Sequence, residues 1–130
     1  MLRPNHVRRQ YFKESGYFTV GVGKSFHPGL PPNYDQPYSW SNGSAFPYFY
    51  PPPENCPDHT GGNSTTDVWC AISDKDAIFE DNLILAEGQR RLALGAANRA
   101  HQPFFVVVGF HKPHTPYRAP QEFYDLYVQI

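Results

Sequence analysis

The sequence predicts an α/β fold in which parallel strands are flanked by helices and a long irregular segment separates two such units. Three observations carry that expectation. Tyr17-Phe18-Thr19-Val20-Gly21-Val22 and Phe104-Phe105-Val106-Val107-Val108-Gly109-Phe110 are short apolar runs rich in β-branched and aromatic residues, which suit a pleated, buried surface. Each follows a stretch read as helix, the alternation that builds a parallel sheet covered by helices. Between the two units, eight of the 14 prolines fall from Pro31 to Pro57.

Arg8 to Glu14 is expected to form a short helix stopped by Gly16, and the first strand follows directly. Gly23-Lys24-Ser25-Phe26-His27-Pro28-Gly29 then reads as a loop. Residues 31–74 are expected to be irregular, because prolines deny donors to any ladder. Tyr34, Tyr38, Trp40, Phe46, Tyr48, Phe49 and Tyr50 lie among them, an aromatic density that favours packing on a neighbouring surface over an unfolded linker. Pro51-Pro52-Pro53 lacks the flanking basic residue that a polyproline recognition motif would want. Asp74 to Asp81 opens a helix that continues through Leu83, Ala86, Leu94 and Ala97 and ends near Ala100, ahead of Gln102-Pro103. Gly88 and Gly95 count against that helix. The unbroken run from Phe104 to Phe110 is expected to be covered on both faces. It ends in His111-Lys112-Pro113-His114-Thr115-Pro116-Tyr117-Arg118, and a short helix spans Gln121 to Tyr127.

Composition bounds the function. Eleven Lys and Arg against 12 Asp and Glu give a formal charge of -1, so no whole-molecule field recruits nucleic acid or an anionic membrane, and any anion recognition is local. No stretch approaches the roughly 20 apolar residues needed to cross a bilayer. The basic amino terminus is not followed by an apolar region, so it does not read as a secretory signal. Asn42-Gly43-Ser44 and Asn63-Ser64-Thr65 nevertheless match the N-glycosylation pattern. Cys56 and Cys70 flank a polar segment containing Gly61 and Gly62, and either close a loop worth about 3 kcal/mol as a disulfide or are two unrelated thiols. Sequons and a closable loop without a leader suggest an internal fragment of a longer protein.

The candidate chemistry lies in the loops after the two strands. If the strands are parallel in one sheet, both loops leave the carboxyl edge, where open α/β sheets bind ligands. Lys24, His27 and His114 are then placed to converge on one tetrahedral oxyanion, with His111 and Lys112 as weaker members. Each charge-assisted hydrogen bond to such an anion contributes about 1.5 to 3 kcal/mol. Lys supplies a permanent charge, whereas His can also pass a proton near neutral pH, so one histidine suits a departing alcohol and the other an anion oxygen. A zinc site at His111 and His114 is disfavoured by Pro113 between them and by the lack of acidic residues nearby in sequence.

The blocks Gln10-Tyr11-Phe12-Lys13-Glu14-Ser15-Gly16-Tyr17, Val22-Gly23-Lys24-Ser25-Phe26-His27-Pro28-Gly29, Pro37-Tyr38-Ser39-Trp40-Ser41 and Pro103-Phe104-Phe105 resemble the sulfatase family. So does the block from Val108 through His111-Lys112-Pro113-His114 to Arg118. The resemblance implies residues 1–130 of an alkaline-phosphatase-like catalytic domain, in part, from a lysosomal or secretory enzyme that removes 2-O-sulfate from heparan and dermatan sulfate. It places Lys24, His27 and His114 at sulfate contacts and Cys56 and Cys70 in a disulfide. It also implies calcium and a formylglycine made from a Cys-x-Pro/Ala-Ser-Arg motif. Neither Cys56-Pro57-Asp58-His59-Thr60 nor Cys70-Ala71-Ile72-Ser73-Asp74 fits that motif, and the chain contains no Asp-Asp pair for calcium. The expectation is therefore a chain inactive by itself, partnered by the rest of the enzyme. Competing expectations are a noncatalytic module that binds sulfated glycans, and a phosphohydrolase of the same superfamily.

Overall fold

The structure, a computed structural model, describes residues 8–27, 32–41, 69–75, 77–115 and 117–127. It divides into two compact units, one formed by Met1–Phe49 with Asn82–Phe110 and the other by Tyr50–Asp81 with His111–Ile130.

In the first unit, α1 spans Arg8–Glu14 and β1 spans Phe18–Gly23. Gly16 adopts φ 88° at the end of α1, a left-handed value that costs a residue without Cβ little. The backbone amide of Tyr17 donates to Phe12 O at 3.0 Å and that of Gly16 to Lys13 O at 3.0 Å, a Schellman cap. The Phe12 and Tyr17 rings close the cap edge to face, 5.1 Å between centroids. Phe12 also stacks on Phe105 at 4.2 Å, which seats α1 on β3, Phe104–Gly109.

β1 and β3 pair in parallel from Phe18 opposite Phe104 to Gly23 opposite Gly109, as the two apolar runs predict. Every residue of β1 is buried. Its Thr19 amide donates to Ser41 Oγ at 3.0 Å and its hydroxyl to Ser39 O at 2.7 Å, so this buried polar residue is satisfied. Trp40 is buried beside them and donates from Nε1 to Tyr34 O at 2.7 Å.

Helix α2 spans Glu80–Asn98 and lies in the first unit from Asn82 onward. Ile84, Gly88, Arg91 and Gly95 form its buried stripe at helical spacing. The two glycines, which count against a helix in one dimension, are contact points in three. A Cβ on Gly88 would lie 3.0 Å from Val108 Cγ2, and one on Gly95 would lie 2.8 Å from Phe104 Cδ2. The close approach also explains a departure from expectation, since β3 is not covered on both faces. Glycines reach the strand but spread little surface over it, so Val108 stays 39% exposed and Leu85, Leu92, Val106, Val108 and Phe110 line an apolar groove of about 360 Å³.

The second unit contains β2, Trp69–Ile72, parallel to β4, Tyr117–Pro120, followed by α3, Gln121–Asp125. Tyr124 donates its hydroxyl to Tyr117 O at 2.7 Å and ties α3 back to β4. Several expectations are corrected here and nearby. A 3-10 turn at Pro32–Asp35 and β2 both lie within 31–74, while 42–68 is outside the described residues. Pro at the head of a helical turn surrenders no needed donor, and the Trp69–Ile72 run carries no proline at all. β4 replaces part of an expected loop, with Pro120 tolerated at the strand end. α2 starts at Glu80, not Asp74, because residues before it form a turn in which the Ala77 amide donates to Asp74 O at 3.3 Å.

Candidate functional site

Lys24 follows β1 directly, and its amide donates to Gly109 O at 2.7 Å, extending the parallel ladder by one bond. The half-buried Lys24 ammonium has no hydrogen-bond or ion-pair partner among the described residues. Its loop is held from α1. Arg9 Nη2 donates to Ser25 O at 2.8 Å, and the same guanidinium lies 4.1 Å over the Phe26 ring. Phe26 in turn meets Trp40 edge to face at 6.3 Å. Burial draws the Arg9 guanidinium down from its usual range, and Asp35 opposes that shift. His27, the last described residue before position 28, is exposed. Arg9→Ala removes one hydrogen bond and one cation–π contact, so we expect a loss of about 1 to 2 kcal/mol, read as a lower urea midpoint.

The loop after β3 is organised by the opening residues of α2, an arrangement the sequence reading missed. Asp81 accepts the His111 amide on Oδ1 at 2.6 Å and the Lys112 amide on Oδ2 at 3.2 Å. Glu80 is fully buried. Its Oε1 takes the Lys112 ammonium at 2.7 Å and the His111 Nδ1 at 3.2 Å. Burial alone would raise the Glu80 carboxyl, but the Lys112 hydrogen bond and charge, with help from His111, outweigh it and hold the group below its usual range. His111 is buried too, and desolvation draws its imidazole below the ordinary value despite the bond to Glu80. The acidic partner lacking near His111 in sequence thus comes from another element, 31 residues away. A carboxylate pair opening a helix just before an apolar face was the available signal.

His111 and Lys112 are therefore held on Glu80, and His114 is the exposed member of the group. The rings of His111 and His114 stack, 4.7 Å between centroids and 26° between planes. His114 Nδ1 lies 2.7 Å from Thr115 O; a carbonyl only accepts, so Nδ1 carries the hydrogen and Nε2 is left for solvent or ligand. Asn42, Asn63 and Cys56 lie outside the described residues, and Cys70 sits in β2.

The described residues do not form a calcium site. Among the described residues no group of three or more His, Cys, Asp or Glu can hold a metal ion. Asp81, beside Asn82, spends both carboxylate oxygens on loop amides. A cleft of about 590 Å³ in the second unit is lined by Asp74, Lys75, Glu122 and Asp125 among others, three carboxylates to one ammonium, which is the wrong sign for an anion.

No protein-family model matches the chain. It is 40% identical over 128 residues to Iduronate 2-sulfatase of Mus musculus, covering 91% of this chain and 22% of that protein. It is 39% identical over 130 residues to Iduronate 2-sulfatase of Homo sapiens, again 91% and 22%. A protein named Sulfatase from Formosa agariphila is 31% identical over 131 residues, 91% of this chain and 24% of its own length. The chain thus spans about a fifth of the length of the curated relatives it matches.

Proposed function

We propose, from the premise that this chain is a homologue of sulfatases, that it forms part of the sulfate-gripping wall of a sulfuric ester hydrolase like iduronate 2-sulfatase. The substrate is the 2-O-sulfate of iduronate in heparan and dermatan sulfate. Lys24 supplies a fixed positive charge to the sulfate, while His27 and His114 divide the tasks of holding an oxygen and protonating the departing alcohol. The observation that carries this reading is the parallel register of β1 and β3, which sends the Lys24 loop and the chain leaving Phe110 from the same carboxyl edge. The Lys24 ammonium, without a partner among the described residues, and the exposed His114, whose Nδ1 is taken by Thr115 O, support it.

The nucleophile and calcium belong to other parts of the longer protein, so the chain alone is expected to turn over no sulfate ester. Lysosomal or secretory residence, glycans on Asn42 and Asn63, and a Cys56–Cys70 disulfide belong to the same proposal. The test is calorimetric titration of the chain with a 2-O-sulfated heparan-derived disaccharide and its desulfated counterpart. Binding should require the sulfate and fall about tenfold in Lys24→Ala and in His114→Ala, the loss of one charge-assisted hydrogen bond each. Equal binding of both disaccharides, or unchanged affinity in both variants, would sink the proposal.

A further inference from the structure

We propose that His111 is a positioning residue for His114: its buried ring, pinned to Glu80, is the platform on which His114 stacks, and this presents Nε2 of His114 to the sulfated ligand. The inference rests on the reading that His114 meets the anion, and it assigns the device that aims it.

The geometry supplies each link. Asp81 fixes the backbone of the platform by accepting the amides of both His111 and Lys112. Glu80 fixes its ring, because Oε1 lies 3.2 Å from Nδ1 of His111 and is buried from competing water. Lys112 already brings a positive charge to that oxygen at 2.7 Å, so the carboxylate is compensated without a proton on His111. A neutral platform matters, since two charged imidazoles 4.7 Å apart would repel. His114 is thereby left as the exposed member of the stack, the one an anion can reach. Its own Nδ1 is occupied by Thr115 O at 2.7 Å in the same ring orientation that stacks on His111. An exposed histidine without such a platform samples several rotamers and both neutral tautomers.

The test is imidazole nitrogen NMR on the full 130-residue chain at alkaline pH, where the two neutral tautomers have distinct shifts. His114 of the unaltered chain should populate the form with hydrogen on Nδ1. His111→Ala should lose that bias and bind the 2-O-sulfated disaccharide about tenfold more weakly. His111→Phe keeps a flat ring and should keep both properties. If His111→Ala does not fold, His111→Leu, which fills the site without a flat face, must show the same loss. The proposal is overturned if either aliphatic variant retains the bias with a native amide spectrum, or if His111→Phe loses it. Failure of the unaltered chain to bind the disaccharide would sink His114 as the anion contact, while the tautomer measurement would still decide whether His111 positions it.

Discussion

Gly23→Ala should destabilise the first unit by about 3 to 5 kcal/mol, well beyond the usual effect of adding one methyl group. Gly23 sits at φ 76°, where an L side chain is strained. The added Cβ would collide with Gly109 O and lie 3.0 Å from both Cδ1 and Cγ2 of Ile84. Gly109 O is also the acceptor of the Lys24 amide, so the clash falls on the bond that positions Lys24. Backbone must move, because the nearest obstacle, Gly109 O, is main chain and not the free end of a flexible side chain. Gly16→Ala is the matched control. Gly16 has φ 88° but nothing within 4 Å of a built Cβ, so it bears only the conformational cost of about 1 kcal/mol. Urea denaturation of the two variants separates the terms, and equal losses would show that the close approach of Gly23 to Gly109 does not govern stability. Gly23→Ala should also abolish sulfate-dependent binding, whereas Gly16→Ala should leave it intact.

The contrast between these glycines shows where sequence reasoning stops. The β-branched runs that became β1 and β3 were legible because local composition and burial agree in them, and their boundaries moved by only a residue. The recurrence of Lys and His after both runs nominated Lys24, His27 and His114, and the parallel register of the runs themselves is the part of that reading the structure contains. Gly88 and Gly95 were misleading for a physical reason. A glycine weakens an isolated helix but lets a packed one approach a strand, and only the partner, Val108 or Phe104, tells which effect wins. β2 and β4 were illegible because four-residue strands gain their identity from pairing across 48 positions, Trp69 to Tyr117, and not from their own composition. Arg9, Glu80 and Asp81 were missed alike. Each supports a loop far away in sequence, and a buried charge announces itself only when its partner is known.

Lys112→Met should cost about 3 kcal/mol at neutral pH, because it leaves the Glu80 carboxylate buried without its ammonium. That figure is the low end for breaking a buried pair, since the Lys112 side chain keeps 23% exposure while Glu80 keeps none. The pH dependence carries the diagnosis. His111 has a folded pKa below its ordinary value, so its contribution is complete above about pH 6.5 and is lost as pH falls through the lower folded value. Glu80 is likewise held below its ordinary range, so a second loss begins only under about pH 4.5. Removing Lys112 reverses the second sign. A buried carboxylate without a cation binds a proton more readily in the folded state than in the unfolded one, so acid relieves the variant. The gap between variant and unaltered chain should therefore narrow from about pH 8 to about pH 5, as Glu80 or His111 takes up the proton that replaces the lost ammonium. Urea midpoints across that range decide the matter. A gap that stays constant with pH would mean that Lys112 acts through packing alone, and the loop would then owe its shape to the amide bonds of Asp81 and not to the charge buried at Glu80.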